Sequence, residues 1–400
     1  MTISKTQPSY RTICVHCFKN LTAPLHKARA EFIIEILCLF LSISRVNFVQ
    51  LARFVGCCEQ RFRIQFAKSF DWLALNTSMI EKSCALQRAI AFDPCYIPKS
   101  GKSTQGISRF WSGCAGAVKR GLEICGIAVL DLDNNTAMHL LAVQTILKEG
   151  ENLLQFYARI LVERATDLKK ISNIIVADAY FSKYSFVKTL LDHGFNFVGR
   201  LRDDAVLYHI LNQDKTGKRG RPKTKGERVD FDDLSQFDLI KDDDTERIYT
   251  TIVKSKSLKM NIRIVYVIYV KTGVSKIYFS THTTMLASQI LTIYRNRFQI
   301  EFLYRDAKQH TSLTKCEARS KEKLDFHFNA SLTAINLAKQ AHWYSLPLSK
   351  RKEFSMSTIK TINHNKLLID RFMSVFGLDP NILKNKQHIK ELMLYGTKAA

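Results

Sequence analysis

The chain has 400 residues, with 60 Lys and Arg against 36 Asp and Glu, giving a net charge of +24. Its 46% hydrophobic and 24% charged residues are those of a folded chain of two or three domains with a sizeable core, and exclude a disordered polymer. The cationic excess suits a polyanionic partner, and no basic amphipathic anchor beside a span argues for a membrane surface instead.

The N-terminus, MTISKTQPSYRTICVHC, lacks the order of charge, apolar core and cleavage site that marks a secretory signal. The most apolar run, residues 32–44, contains Glu35, is too short to cross a bilayer and reads as a buried helix. Ten cysteines are scattered irregularly, as reduced cytosolic thiols are, and Cys14-Val15-His16-Cys17 has no second pair to complete a zinc site. A cytoplasmic protein without a membrane partner is expected.

Residues 1–85 read as a helical domain, with helices over 28–43, 47–54, 59–70 and 78–91. Residues 47–66 have the shape of a helix-turn-helix: a helix, a turn through Gly56, then a helix bearing Gln60, Arg61, Arg63 and Gln65. Those side chains suit groove and phosphate contacts with duplex DNA. An ordinary helical hairpin with a solvated basic face is the competing reading.

At residues 88–93 the pattern shifts to a short apolar run ending in Asp93, and Pro94 stops any helix. The segment 99–106 resembles a phosphate loop only loosely and lacks G-x4-G-K-[ST]. Strands follow over 124–132 and 137–144, joined by the turn Asp133-Asn134-Asn135. Next come a helix over 150–170, a strand over 172–177 ending at Asp178, a helix over 182–193 capped by Gly194, and a strand over 195–201. This β-β-β-α-β-α-β order, followed by a long helix, is that of an α/β ribonuclease-H-like fold. Asp178 ends its strand, where open α/β sheets place their sites. Asp93 is the candidate on the first strand; Asp131 and Asp133 compete with it but close a hairpin.

Residues 203–282 are too many for one strand and one loop and form a β-rich insertion, with strands over 247–254, 261–271 and 276–282. Arg219-Gly220-Arg221-Pro222 resembles the core of a minor-groove hook, with a flexible solvated loop as the alternative. Asp242-Asp243-Asp244 reads as a solvated turn.

Residues 286–310 have no Gly or Pro and read as one long helix. On a wheel of about 100° per residue, Tyr294, Arg297, Glu301 and Lys308 share an arc of roughly 60° between apolar flanks. A carboxylate between cations on a core-facing stripe costs desolvation energy unless a metal or phosphate partners it. Scattered salt bridges on an amphipathic helix are the plainer reading. A further helix spans 321–340, and residues 346–400 form a basic tail that supports dimer contacts or packs on the core.

Tyr294, Arg297, Glu301 and Lys308 spell Y-x2-R-x3-E-x6-K. With Cys316-Glu317-Ala318-Arg319-Ser320-Lys321 and His327-Phe328-Asn329, this resembles bacterial insertion-sequence transposases of the DDE type, the insertion-sequence-four family. The resemblance covers roughly residues 86–340 and implies a catalytic core over 86–202 and 283–345. It implies Asp93, Asp178 and Glu301 as catalytic and metal-binding residues, and the β-rich insertion between them. Their hard oxygen donors suit two Mg²⁺ or Mn²⁺ ions, which serve an in-line phosphoryl displacement without a covalent protein–DNA intermediate.

Tyr294, Arg297 and Lys308 then hold backbone phosphates, with Arg61, Arg63, Arg219 and Arg221 as further DNA contacts. The implied partners are terminal inverted repeats and target DNA, bound by a homodimer in a paired-end complex on the bacterial nucleoid. A base-flipping hairpin step needs an aromatic stacker. Trp72, Trp111 and Trp343 all lie outside the segment before the long helix, leaving Tyr278 and Phe279 as substitutes. The competing functions are a non-catalytic DNA-binding remnant and a stand-alone nuclease of the same fold.

Overall fold

The computed structural model describes residues 8–21, 23–211, 226–351 and 353–397. Helix α1 (Pro8–Phe18) leads into α2 (Lys27–Ser42), whose residues 32–42 are buried, as an apolar run without a polar face requires. The pair α3 (Phe48–Val55) and α4 (Glu59–Phe66) follows, with Asn47 capping α3 and Gly56 ending it in the left-handed conformation. Helix α5 (Trp72–Ser83) starts at the Asp71 cap. The helix expected over 78–91 therefore ends early. Ala89 to Phe92 are buried on both faces of a strand, and that burial overrides their helical spacing.

Strand β1 (Arg88–Ile97) lies at the centre. It pairs antiparallel with β3 (Ala117–Asp131) and parallel with β5 (Ile174–Val176), which pairs parallel with β6 (Asn196–Arg200). β3 also pairs with β2 (Ser108–Ser112) and with β4 (Thr136–Gln144). This order, with the β1–β5–β6 parallel set, is ribonuclease-H-like. Helices α6 (Leu153–Val162), α7 (Ala165–Ile171) and α8 (Tyr184–Asp192) make the crossovers. The single helix expected over 150–170 is broken at residues 163–164.

The strands of the insertion are not a detached unit. β11 (Ser275–Ser280) pairs with β6, followed outward by β10 (Met260–Tyr269) and β9 (Glu246–Ser255), which carries β7 (Leu207–His209) and β8 (Asp238–Asp242). One sheet of 11 strands results among the described residues. Val, Ile, Tyr and Thr give these strands two buried or half-buried faces, which suits continuation of a covered sheet.

Two apolar clusters flank the sheet. One packs against α6, α7 and α8; the other joins the sheet to α9 (Ala287–Asn296), α10 (Gln299–His310), α11 (Lys321–Lys339) and the N-terminal helices. Phe326 of α11 is a hub, with its ring centroid 6.1 Å from Phe32, 4.5 Å from Phe66 and 5.1 Å from Trp72. The N-terminal helices α1 to α5 thus share their core with the sheet. The tail packs there too: on α12 (Met356–Val375), Lys360 donates to the carbonyls of Phe40 and Ile43, and Asn363 bonds Tyr10. Helix α13 (Leu383–Leu394) packs on α12. No helix among the described residues is long and apolar enough to cross a membrane.

β4 leaves main-chain groups unpaired on the side away from β3, and α11 covers them. Asn329 accepts from the Ala142 N–H at 2.8 Å and donates to its carbonyl at 2.9 Å. Asn336, two turns on, does the same for His139, and Lys339 donates to the Ala137 carbonyl at 2.7 Å. The His327 ring bonds the Ser312 carbonyl at 2.8 Å. The His-Phe-Asn motif therefore serves the fold. Asn329→Ala orphans two buried groups and is expected to cost about 1–3 kcal/mol for each. A lowered denaturation midpoint with an unchanged m-value checks this.

Candidate active site

Asp93 lies in mid-β1 opposite Gly126 of β3. Its face of the strand, shared with Cys95 and Ile97, meets α10. The parallel register aligns Ala91 with Val176, so Asp178, two residues beyond β5, comes level with Asp93. Asp178 is fixed by accepting from the Tyr180 N–H at 2.9 Å, capping a short 3₁₀ turn. The carboxylate just past the end of β5 is thereby presented beside one in the middle of β1.

The third carboxylate arrives on the long helix, which is not uniform. Between α9 and α10, Ile300 N–H bonds Arg297 and Glu301 N–H bonds Phe298, a tightened i→i+3 turn instead of i→i+4. The chain stays right-handed through this turn, and Arg297 and Glu301 remain on one face. Arg297 reaches Glu301 at 3.0 Å, its own side chain only 15% exposed. Burial disfavours the guanidinium, yet Asp93, Tyr294 and Glu301 outweigh it and hold the Arg297 pKa above its usual value. Its Nε atom is buried without a hydrogen-bond partner, so one donor of this guanidinium remains unused.

The Tyr294 ring packs against Tyr278 at a tilt of 52°, with centroids 4.8 Å apart. Burial raises its pKa, while Arg297 and Arg200 pull it down. Lys308 lies beside Cys95, two residues beyond Asp93, and opposes the burial that pushes the Cys95 thiol up to about 11. The stripe read from the wheel thus runs along β1, past Asp93 and Cys95.

Burial pushes the Asp93 carboxyl up to about 7, with Arg297 opposing and Glu301, Asp178 and Glu123 reinforcing. A carboxylate cluster this short of positive charge fits a hard divalent cation in donor type and in electrostatics. Among the described residues no three His, Cys, Asp or Glu side chains stand together as ligands of one ion. The fit is therefore one of chemistry and charge, without a preformed cage.

Several residues here carry no signal in the sequence. The Tyr304 hydroxyl donates to the Asp93 carbonyl at 2.5 Å. It occupies the space above Gly126, where an added Cβ would stand 1.9 Å from that oxygen. Tyr304 lies one turn beyond Glu301, so this contact sets how closely α10 approaches β1. Glu123, a lone acid in an apolar strand, is buried and bonded by Tyr157 at 2.7 Å and Thr145 at 2.9 Å. Arg200 of β6 holds a second partnerless buried Nε near Tyr294.

Other expected residues are placed differently. Arg61 is bound to Glu35 at 2.7 Å, a carboxylate only 4% exposed, and lies over the rings of Phe32 and Phe62. The pair engages Arg61 with a buried carboxylate and leaves the arginine side chain 37% exposed. Arg63 pairs with Glu59 at 3.2 Å, and Gln65 accepts from Arg29 at 2.8 Å. Tyr278 and Phe279 are 5% and 0% exposed, so neither offers a stacking platform. Asp131 caps its hairpin through Asn134 and accepts from Tyr344 at 2.8 Å, and Asp133 is exposed in the turn. Arg219 and Arg221 lie outside the described residues.

Residues 156–337 match the family model described as a transposase DDE domain, a span that includes Asp178 and Glu301 and begins after Asp93. No curated protein matches the chain. Among solved structures, the chain is similar to a piggyBac transposase in a synaptic complex with hairpin DNA. The identity is 11% and the TM-score 0.40, covering 100% of this chain and 84% of that one.

Two predictions follow from the geometry. Gly126→Ala is expected to destabilise the protein by driving a methyl group into the Tyr304 hydroxyl. Tyr304→Phe in the same chain should restore part of the loss, because it removes the colliding oxygen; a double-mutant cycle in denaturant measures the coupling. The raised Asp93 pKa means that the folded state keeps a proton which the unfolded chain has released. In metal-free buffer, stability should therefore fall as pH rises from about 4, the unfolded carboxylate value, and level off above about 7. Asp93→Asn should flatten that fall, and thermal melts across the window check it.

Proposed function

We propose that this protein is a DDE transposase that cuts the ends of a mobile DNA element and joins the freed 3′-hydroxyl to a target strand. The observation that carries this is that Glu301 and Asp178 lie close enough to Asp93, on the central strand of a ribonuclease-H-like sheet, to act on its charge, with Arg297 acting on Asp93 and bonded to Glu301. The match of residues 156–337 to a transposase DDE domain supports it from the sequence side.

In this reading the three carboxylates hold Mg²⁺ or Mn²⁺. When bound, two such ions supply activation of the attacking oxygen and stabilisation of the leaving oxygen. Asp178, already fixed by the Tyr180 N–H, presents its free oxygen beside Asp93. Arg297 directs its unused Nε donor at a non-bridging phosphate oxygen, where charge grows in the transition state. Lys308 supplies a second positive point further along β1, and Tyr294, braced by Tyr278, packs beside the phosphate. The net charge of +24 attracts duplex DNA at long range. A homodimer pairing two element ends belongs to the same proposal, with the N-terminal helices taking part in end recognition.

Glu301→Gln removes a donor charge with little change in shape. Purified Glu301→Gln should bind terminal-repeat duplex as the wild type does and lose strand cleavage in Mg²⁺ by a factor of at least about 10³, the scale of one electrostatic group in such a site. It should also lose the rise in melting temperature that Mn²⁺ gives the wild type. Full cleavage by this variant would remove Glu301 from the site.

A further inference from the structure

β3 is longer than its central partner. Ile97, the last β1 residue in the ladder, stands opposite Leu122, and residues 117–121 pair with β2. A two-stranded ribbon therefore extends past the end of β1, closed by a turn at Gly113–Ala115 and Gly116. Directly opposed residues of an antiparallel pair share a face. Arg109 stands opposite Arg120, and Trp111 opposite Val118. Both arginines are exposed, Trp111 is 61% exposed and Val118 58%. Phe110 and Ser112, on the other face, are buried, which holds the ribbon down on one side.

The ribbon is set rigidly at its base. The Tyr96 hydroxyl donates to the Arg120 carbonyl at 2.9 Å. Its ring fills the space where a Cβ on Gly121 would come within 2.6 Å of it. Tyr96 is three residues beyond Asp93 on the same strand. Alternation along β3 puts Arg120 on the face of Gly126, the residue opposite Asp93. The ribbon and the carboxylates thus belong to one side of the sheet. At about 3.3 Å per residue the separation is roughly 20 Å.

Like charges directly opposed across a ribbon repel. Arg109, Lys119 and Arg120 have no acidic partner among the described residues. The pairing of Arg109 with Arg120 is therefore unfavourable in the free protein and becomes favourable against a polyanion. The large exposed indole beside them adds an apolar surface that a sugar or base can cover.

We propose that the β2–β3 ribbon is a second DNA-contacting surface: Arg109 and Arg120 bind backbone phosphates, and Trp111 packs on the duplex away from the cut. The proposal rests on the reading of the carboxylate cluster as a DNA-cutting site. It names an arm of duplex about six base pairs away, at about 3.4 Å per step, that the N-terminal helices are not needed to hold.

The test uses the full-length protein and a mixed-sequence duplex. Arg109→Gln/Arg120→Gln should flatten the slope of log K against log salt by about two, close to one unit per lost phosphate contact. Duplex binding should change the tryptophan emission of the wild type, and Trp111→Phe should remove most of that change, since Trp72 is only 4% exposed and Trp343 is half-buried against Tyr344 and Arg351. Because the substituted side chains are exposed, melting temperatures should stay at the wild-type value. An unchanged salt slope in the double variant overturns the proposal, whatever the fluorescence shows. Duplex binding by the wild type in that case leaves the DNA-cutting reading standing, whereas a wild type that binds no duplex at all defeats both.

Discussion

The contact on which the site depends is a hydroxyl in a socket made by the absence of a side chain. Tyr304 reaches across from α10, fills the space over Gly126 and bonds the carbonyl of Asp93. It ties together three elements at once: the late helix, the central strand and that strand's antiparallel partner. Because Tyr304 and Glu301 are one turn apart, the same contact that seals the core sets the third carboxylate in place. A larger residue at position 126 would move the helix away from β1, and Glu301 with it.

The charges follow from that placement. Bringing Asp93, Asp178 and Glu301 to one edge concentrates negative charge where water is partly excluded. Arg297 is the internal counterion, and burial outweighs it: Asp93 is pushed up to about 7 despite it. Arg297 bonds Glu301 through one nitrogen and keeps a second buried donor without a partner, so the proposed metal and phosphate would meet needs that the free site leaves unmet.

The N-terminal helices show the opposite economy. Arg61 satisfies Glu35, Arg29 satisfies Gln65, and Phe32, Phe66 and Trp72 close around Phe326 of α11. Basic residues that look available on a helix wheel are engaged within that segment, and the aromatic rings around Phe326 join it to the rest of the fold. The unpaired cations near the site lie instead on the β2–β3 ribbon, where the ladder outruns its neighbour.

The sequence by itself determined the strand that carries Asp93, the strand end that carries Asp178, the helix that carries Arg297 and Glu301, and the excess of positive charge; it ended the first strand at Asp93, whereas β1 runs through Pro94 to Ile97. These are local properties. An apolar run ends at an acid, a stripe repeats at helical spacing, and composition needs no fold at all. The extent of β1 and the tightened turn at Arg297 escaped it, because burial on two faces and packing against β1 override local propensity. Only the tertiary structure decided that Tyr304 meets Gly126, that Asn329 and Asn336 cover the edge of β4, and that Arg61 belongs to Glu35. Each of these is a pair far apart in the chain. What selects them is the need to fill a particular space or satisfy a particular buried group, and neither exists until the sheet and helices have come together.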